Sequence, residues 1–448
     1  MTLQASLADL AQVIGAQPLG KERRHLRAEG ITTDTRQLQP GQVFVALRGE
    51  TFNGHEFVGQ ALAQGAVGAV VDGPVTGDDR ELVVPNTLSA YQGIARWWRR
   101  QLGTPLVAIT GSVGKTTTKE MIAAALSHQG PILKTRANFN NEIGVPKTLL
   151  ELAPHHRFGV VEMGMRGPGE IALLARTAEP NVAVITNVGT AHIGRLGSEQ
   201  AIAHAKCELL AELSPSGTAV LNYDNDRLMT TAKGVWSGTQ ITFGLTGGDV
   251  TGQLRADGQL EIDGLALPLP LPGRHNALNL LAVVAVMRAL DLDWRVLQQG
   301  FTVDLPKGRA QRLQWPNDIV ILDETYNAGV ESMTAALQML KDTPGQRHIA
   351  VLGTMKELGD RAVELHHRVG TVARDLQLDQ LLILADPEAA TALATGANPV
   401  ACQQFPHAEA LIDYLKDNLQ PGDRILFKAS RAVALDQVID RLQPQASP

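Results

Sequence analysis

The sequence predicts an α/β protein of three domains, and three observations carry that prediction. Apolar strand-like runs alternate with amphipathic helical patterns along most of the chain. The rhythm breaks at a Gly- and Pro-rich stretch over 249–272, and again at Leu305-Pro306-Lys307-Gly308, which reads as a hinge. The 448 residues suffice for two to four units of about 100–200 residues each. The expected layout is a small α/β domain over 1–85, a central parallel-sheet domain over 86–308 and a Rossmann-like doubly wound domain over 309–448.

In the first block, β-rich stretches at 42–47, 66–71 and 81–85 are separated by Gly-rich and polar turns. The second opens with an amphipathic helix at 90–101 and a strand at 105–110. Residues 158–162, 182–186 and 218–221 are apolar without alternation, as parallel strands covered on both faces are. A hairpin is expected within 249–272 and a helix at 277–290. The third block repeats the pattern, with strands at 319–323, 348–352, 380–384 and 424–427 and helices at 330–341, 364–376 and 408–419. Strands so spaced imply right-handed crossovers and a doubly wound sheet.

Composition excludes several function classes. Lys+Arg is 40 against Asp+Glu 46, a net charge of −6, so the basic surplus of a nucleic-acid binder is missing. No run approaches the roughly 18–20 apolar residues of a membrane span; the longest, 277–287, is interrupted by Asn279. No basic residue precedes the first apolar stretch, so a cytoplasmic protein without a secretion signal is expected. Cys207 and Cys402 form no ligand-spaced pair, which excludes a Cys-based zinc site or disulfide framework. With 43 Gly but only 9 Phe, 5 Trp and 4 Tyr, an Ala/Val/Leu-packed core is expected.

The sharpest motif is Leu106-Val-Ala-Ile-Thr110 running into Gly111-Ser112-Val113-Gly114-Lys115-Thr116-Thr117-Thr118 and then a helical pattern. Glycines let the backbone curl its N–H groups inward, the helix N-terminus adds partial positive charge, and the lysine reaches the outer phosphates. The hydroxyl of Thr116 is placed to ligate Mg²⁺. Ile109 stands where the eight-residue phosphate-loop pattern has Gly, so the match is to a shorter Gly-x-x-Gly-Lys-Thr-Thr loop. The plainer alternative is a tight turn with a surface lysine; the strand before and the helix after favour ATP. Gly167-Pro168-Gly169-Glu170-Ile171-Ala172 formally fits a dinucleotide fingerprint, but no acid follows about 20 residues on and Pro168 has no N–H to offer.

Glu162 closes an apolar strand, where open α/β sheets bind ligands, and suits a Mg²⁺ ligand; the alternative is an acid paired to a nearby arginine. His192 sits just past the next strand, as a second metal ligand or as a capping residue. Lys206, in a helical stretch, taken alone reads as a solvated or ion-paired lysine.

With these residues in this order, the chain resembles the Mur ligase family of ATP-dependent peptidoglycan-precursor ligases over nearly its whole length. The segments that carry the resemblance include Thr33-Asp34-Thr35-Arg36, Gly111–Thr118, Asn138-Phe-Asn-Asn141, Glu162-Met-Gly, Thr186-Asn-Val-Gly-Thr-Ala-His192, Lys206, Gly273-Arg-His-Asn276, Asp323-Glu-Thr-Tyr-Asn327 and Lys428-Ala-Ser-Arg431. The resemblance implies a first domain that binds a UDP-sugar through Thr33, Asp34, Thr35, Arg36 and Arg48. It implies ATP on residues 111–117 with Asn276, Arg309 and Asp323, and Mg²⁺ on Thr116, Glu162 and His192. Lys115, Glu162, His192 and a carbamylated Lys206 would be catalytic, and Asn138, Asn141, Asn327, Lys428 and Arg431 would meet the other substrates.

Tyr326-Asn327 after Asp323, without a Tyr-Ala-His or Asp-Asn-Pro-Arg segment, points to the dipeptide-adding member. Its substrates would be UDP-N-acetylmuramoyl-tripeptide and D-alanyl-D-alanine, and a monomer is expected. Ala429 replaces a usual Gly, and Gly329-Val330 a common Asn-Pro. Two other readings stand beside this one: a P-loop NTPase that couples hydrolysis to a partner, and a folate-polyglutamate-type ligase.

Overall fold

The computed structural model describes residues 3–16 and 23–443. Three α/β sheet systems succeed one another along the chain, preceded by a short antiparallel pair, Ala5–Ser6 with Arg27–Ala28. The first is a four-stranded parallel sheet of Ile31–Thr32, Val43–Val45, Gly68–Val71 and Glu81–Val83. Helix Thr87–Leu102 leads out of it, capped by the Asn86 side chain, which accepts from the Ser89 N–H, and stopped by Gly103 at φ +62°. Its buried Arg99 donates to the Ala178 carbonyl at 3.1 Å, tying this helix to the central body.

The central sheet has nine strands. Leu106–Thr110, third from one edge, lies between Val182–Ile185 and Phe158–Glu162, all parallel, so their C-terminal ends open on one side. The expected hairpin within 249–272 is instead a three-stranded meander, Val250–Leu254, Gln259–Ile262 and Leu265–Pro268, that extends the sheet. Beside it runs helix Arg274–Ala289, buried without a break from Leu280 to Met287. It packs on the phosphate-loop helix Lys115–Leu126 and on Thr218–Asn222, Gln240–Gly244 and Val250–Leu254, which explains why it is apolar all round without spanning a membrane. Among the described residues no helix is long and apolar enough to cross one.

The third sheet has six strands, five of them parallel, with Asp423–Lys428 inserted between Ile319–Asp323 and Arg347–Gly353. Its antiparallel edge Gln311–Trp315 and far edge Ala401–Gln404 escape the sequence pattern. Both are edges, and Ala401–Gln404 is exposed throughout, so neither carries an apolar run. The same holds in part for Ile132–Lys134, the edge of the central sheet.

Candidate active site

Loop 111–114 turns because its glycines leave no room for side chains. A Cβ on Gly111 would run into the Thr186 hydroxyl, and Gly114 takes φ +81° as it starts helix Lys115–Leu126. Segment 186–189 braces the loop: Ser112 N–H donates to the Asn187 carbonyl (3.1 Å), Val113 N–H to Asn187 Oδ1 (3.0 Å), and Gly189 N–H to Ser112 Oγ (2.9 Å). The Lys115 ammonium lies folded back on the loop, donating to the Gly111 carbonyl at 2.7 Å. Burial pushes its pKa down, Glu162 opposing and Arg309 adding to the shift.

Glu162, at the end of its strand, gathers oxygen and amide partners. The Thr116 hydroxyl donates to Oε2 at 2.9 Å and Asn140 Nδ2 to Oε1 at 2.8 Å. Buried Lys119 is 4.0 Å away, itself held by the Thr135 carbonyl and Glu120. The hydroxyl–carboxylate pair Thr116 and Glu162 suits a hard divalent cation. His192 is less simply placed. It adopts φ +67°, and its Nδ1 lies 2.5 Å from Glu357 of the third domain, leaving only the other ring nitrogen free of that contact. Among the described residues no three His, Cys, Asp or Glu side chains are grouped to hold a metal, so an ion here would take its remaining ligands from phosphate and water.

Lys206 lies on helix Glu199–Ala211 and is only 1% exposed. Burial, with Lys115 nearby, pushes its pKa well below the ordinary lysine range. The solvated or ion-paired lysine that the sequence alone suggested here gives way to a buried one with no ion pair among the described residues, set outside the cavity lining.

The third domain supplies the opposite wall of one cavity of about 730 Å³. Arg309 stacks over the Tyr326 ring at 3.8 Å, and its Nε is buried with no hydrogen-bond partner. Lys428, buried, donates to the Asn327 carbonyl at 3.0 Å and lies 3.8 Å from Glu324. Burial lowers its pKa and raises that of Glu324. From the central domain, Asn276 accepts from Asn279 Nδ2 (3.1 Å), and Asn279 accepts from the Thr118 hydroxyl (3.1 Å), so the two helices are clamped at the loop.

Of the residues expected from the sequence, the cavity brings together 112–117, Asn138, Asn141, Glu162, His192, Asn276, Arg309, Asn327 and Lys428. Asp323 is not in the lining: its Oδ1 accepts from the Thr325 N–H and hydroxyl, a turn within its own loop, and Glu324 faces the cavity instead. Arg431 also lies outside the lining, paired with Asp436 at 2.9 Å. Thr33, Asp34, Thr35, Arg36 and Arg48 lie apart on the first domain, where Asp34 pairs with Arg36 (2.7 Å) and Arg48 with Asp72 (2.6 Å). Lys147 lies close enough to help hold the Asp34 carboxyl below its usual range, after the larger effect of Arg36. The 167–172 segment cannot hold a dinucleotide, because Glu208 already accepts from the Gly169 and Ala172 N–H groups at its helix N-terminus. Sequence reasoning missed Lys119, Asn140, Asn187, Glu324, Glu331 and Glu357. Asn140 and Glu324 stood inside quoted motifs; Glu331 and Glu357 had no signal, since they meet the central domain only across the fold.

Three family models match the chain in succession: the Mur ligase family catalytic domain over 27–92, the Mur ligase middle domain over 109–287, and the Mur ligase glutamate ligase domain over 308–431. A UDP-N-acetylmuramoyl-tripeptide–D-alanyl-D-alanine ligase of Synechocystis is 56% identical over 93% of this chain and 92% of its own. The chain belongs to the Mur ligase family. Among solved structures, the Mur ligase MurF from Acinetobacter baumannii superposes with a TM-score of 0.87 at 32% identity, covering 98% of this chain and 99% of that one. A MurF ligase from Thermotoga maritima in complex with ADP gives 0.82 at 29% identity, covering 92% and 96%. Membership in the Mur ligase family accounts for the three-domain α/β architecture and for an enzyme that forms a peptide bond with ATP.

Proposed function

We propose that this chain joins D-alanyl-D-alanine to the terminal carboxylate of UDP-N-acetylmuramoyl-tripeptide at the expense of ATP, in the synthesis of peptidoglycan precursors in the cytoplasm. The observation that carries the chemistry is one cavity in which a phosphate loop faces two cations of another domain, the buried Lys428 and the half-buried Arg309. The named substrates rest on the Synechocystis relative, whose likeness spans all three domains.

In this reading residues 1–85 hold the UDP-sugar, 86–308 the ATP and 309–448 the dipeptide. The N–H groups of 114–117 at the helix N-terminus and the Lys115 ammonium hold the phosphates, and the orphaned Arg309 Nε waits for an anionic partner. Thr116, Glu162 and His192 would hold Mg²⁺, which supplies charge neutralisation when bound. The tripeptide carboxylate oxygen attacks the outer phosphorus and ADP leaves, giving an acyl phosphate. The dipeptide amine, once neutral, then attacks the carbonyl carbon, and the tetrahedral intermediate expels phosphate as the amide forms. Repulsion between carboxylate and triphosphate is the main obstacle: like charges about 4 Å apart cost roughly 4 kcal/mol at an effective dielectric near 20. Lys115, Arg309 and Lys428 offset it. Carbamylation of the Lys206 amine by carbon dioxide, with loss of a proton, would put an anion able to steady the metal region where an ammonium is disfavoured by burial and by Lys115.

The test is phosphate release from purified protein with UDP-N-acetylmuramoyl-tripeptide, with and without D-alanyl-D-alanine. Release that requires both, with oxygen-18 from the tripeptide carboxylate appearing in the phosphate, is expected. Release indifferent to both substrates would replace this reading with that of a partner-coupled NTPase.

A further inference from the structure

Glu331 lines the cavity but has no part in the chemistry above, and its contacts are unusual for an acid near a phosphate site. It stands in the first turn of helix Val330–Asp342 of the third domain and reaches across to the central one. Oε1 accepts from the Thr190 N–H at 2.7 Å and Oε2 from the Thr190 hydroxyl at 3.2 Å, so both oxygens are engaged. The carboxyl group lies so close to Gly189 that a Cβ there would sit 2.5 Å from it. Gly189 N–H in turn donates to Ser112 Oγ at 2.9 Å, within the phosphate loop. A chain of three contacts therefore runs from the third domain to the loop that would carry the nucleotide. Farther along the same interface, Gly194 N–H donates to the Glu357 carbonyl at 3.0 Å, and a Cβ on Gly194 would lie 2.5 Å from Gly359 N. The two domains interlock through backbone that tolerates no side chain.

We propose that Glu331 is a positioning residue: it docks the third domain on the 189–190 segment and so holds the phosphate loop and the Arg309–Lys428 wall in the register needed for turnover. This rests on the ligase reading above. The contact belongs to the assembled site, because Arg309 is near enough to Lys115 here to depress its pKa.

A steric cycle tests it. Glu331→Ala is expected to lower kcat by about tenfold or more, the usual scale for losing hydrogen bonds to a charged group, with KM for the UDP-tripeptide unchanged. Glu331→Gln, which keeps one acceptor for the Thr190 N–H, falls between. Gly189→Ala wedges against the carboxylate, so it lowers kcat in the native background and has little further effect beside Glu331→Ala. An equal loss from Gly189→Ala in both backgrounds, or native kcat in Glu331→Ala, overturns the proposal. Small-angle scattering reads docking without turnover: Glu331→Ala is expected to be more extended than the native chain, and an identical profile overturns the docking whatever the reaction. A native chain inactive with all three substrates would instead count against the ligase reading.

Discussion

Two sets of cations are expected to meet phosphate, and the molecule treats them in opposite ways. Lys115 and Lys428 line the cavity between the central and third domains, Lys206 is buried in the central domain outside that lining and is expected to carry a carbamate, and burial depresses all three amines. Their acid partners are few: Lys115 rests on backbone carbonyls, Lys428 on carbonyls with Glu324 3.8 Å away, and Lys206 has no ion pair among the described residues. Arg36 and Arg48 of the first domain stand at the surface, each gripped by two oxygens of Asp34 or Asp72, and their pKa values are raised. A desolvated cation without a counter-ion is costly until an anion arrives, so the interdomain cavity is primed for charge. An exposed pair contributes little to stability and can exchange its partner at little cost, which suits the proposed role of the first domain in orienting a ligand rather than driving its chemistry.

The largest expected effect tests the buried set. Lys115→Ala should lower kcat by roughly 10²–10³-fold, as loss of one preorganised charge donor does; near-native turnover would remove the phosphate assignment. Lys206→Ala should cost roughly 10–100-fold, and short carboxylic acids should restore part of the rate by standing in for the carbamate. Full activity without the lysine would break that half of the comparison. Lys428→Met should follow at about tenfold in kcat/KM, about 1.4 kcal/mol of transition-state stabilisation, read from steady-state rates.

A fourth expectation concerns stability. His275, near Lys428 at the cavity wall, has its pKa pushed down to about 4, by burial first and by Lys428 second. The unfolded chain therefore binds this proton more tightly, and the native state loses stability as pH falls from about 6.5 to about 4. Urea midpoints should fall less steeply over that window in His275→Gln than in the native chain. The smallest effect lies on the other side of the comparison. Arg48→Ala should leave the thermal midpoint and kcat near native and raise KM for the UDP-sugar substrate by a few-fold, roughly the scale of one exposed charge contact. A large fall in kcat there would erase the distinction between the two sets.

The strand–glycine-loop–helix was legible because its geometry is local: strand 106–110 and loop 111–114 lead without a break into the helix at Lys115, and each is explained by its neighbours. Strands 158–162, 319–323 and 380–384 were legible for the same reason, being apolar except for one polar residue at an end. The meander over 250–268 was harder, since short strands with turns between them read equally well as one hairpin. Asp323 and Glu324 show the limit within a motif. Two adjacent acids end one strand, and only the turn made by Thr325 decides that the second faces the cavity.

The sequence by itself determined the three-domain α/β class, the glycine loop between strand and helix, and the family, because these are written in periodicity and in contiguous motifs. The tertiary structure alone decided that Lys206 is a buried amine rather than a surface one, that Arg309 keeps an unpartnered N–H, and that Glu331 and Glu357 close on Thr190 and His192. Those facts depend on desolvation and on contacts between residues more than a hundred positions apart. Neither is encoded in any local stretch of chain.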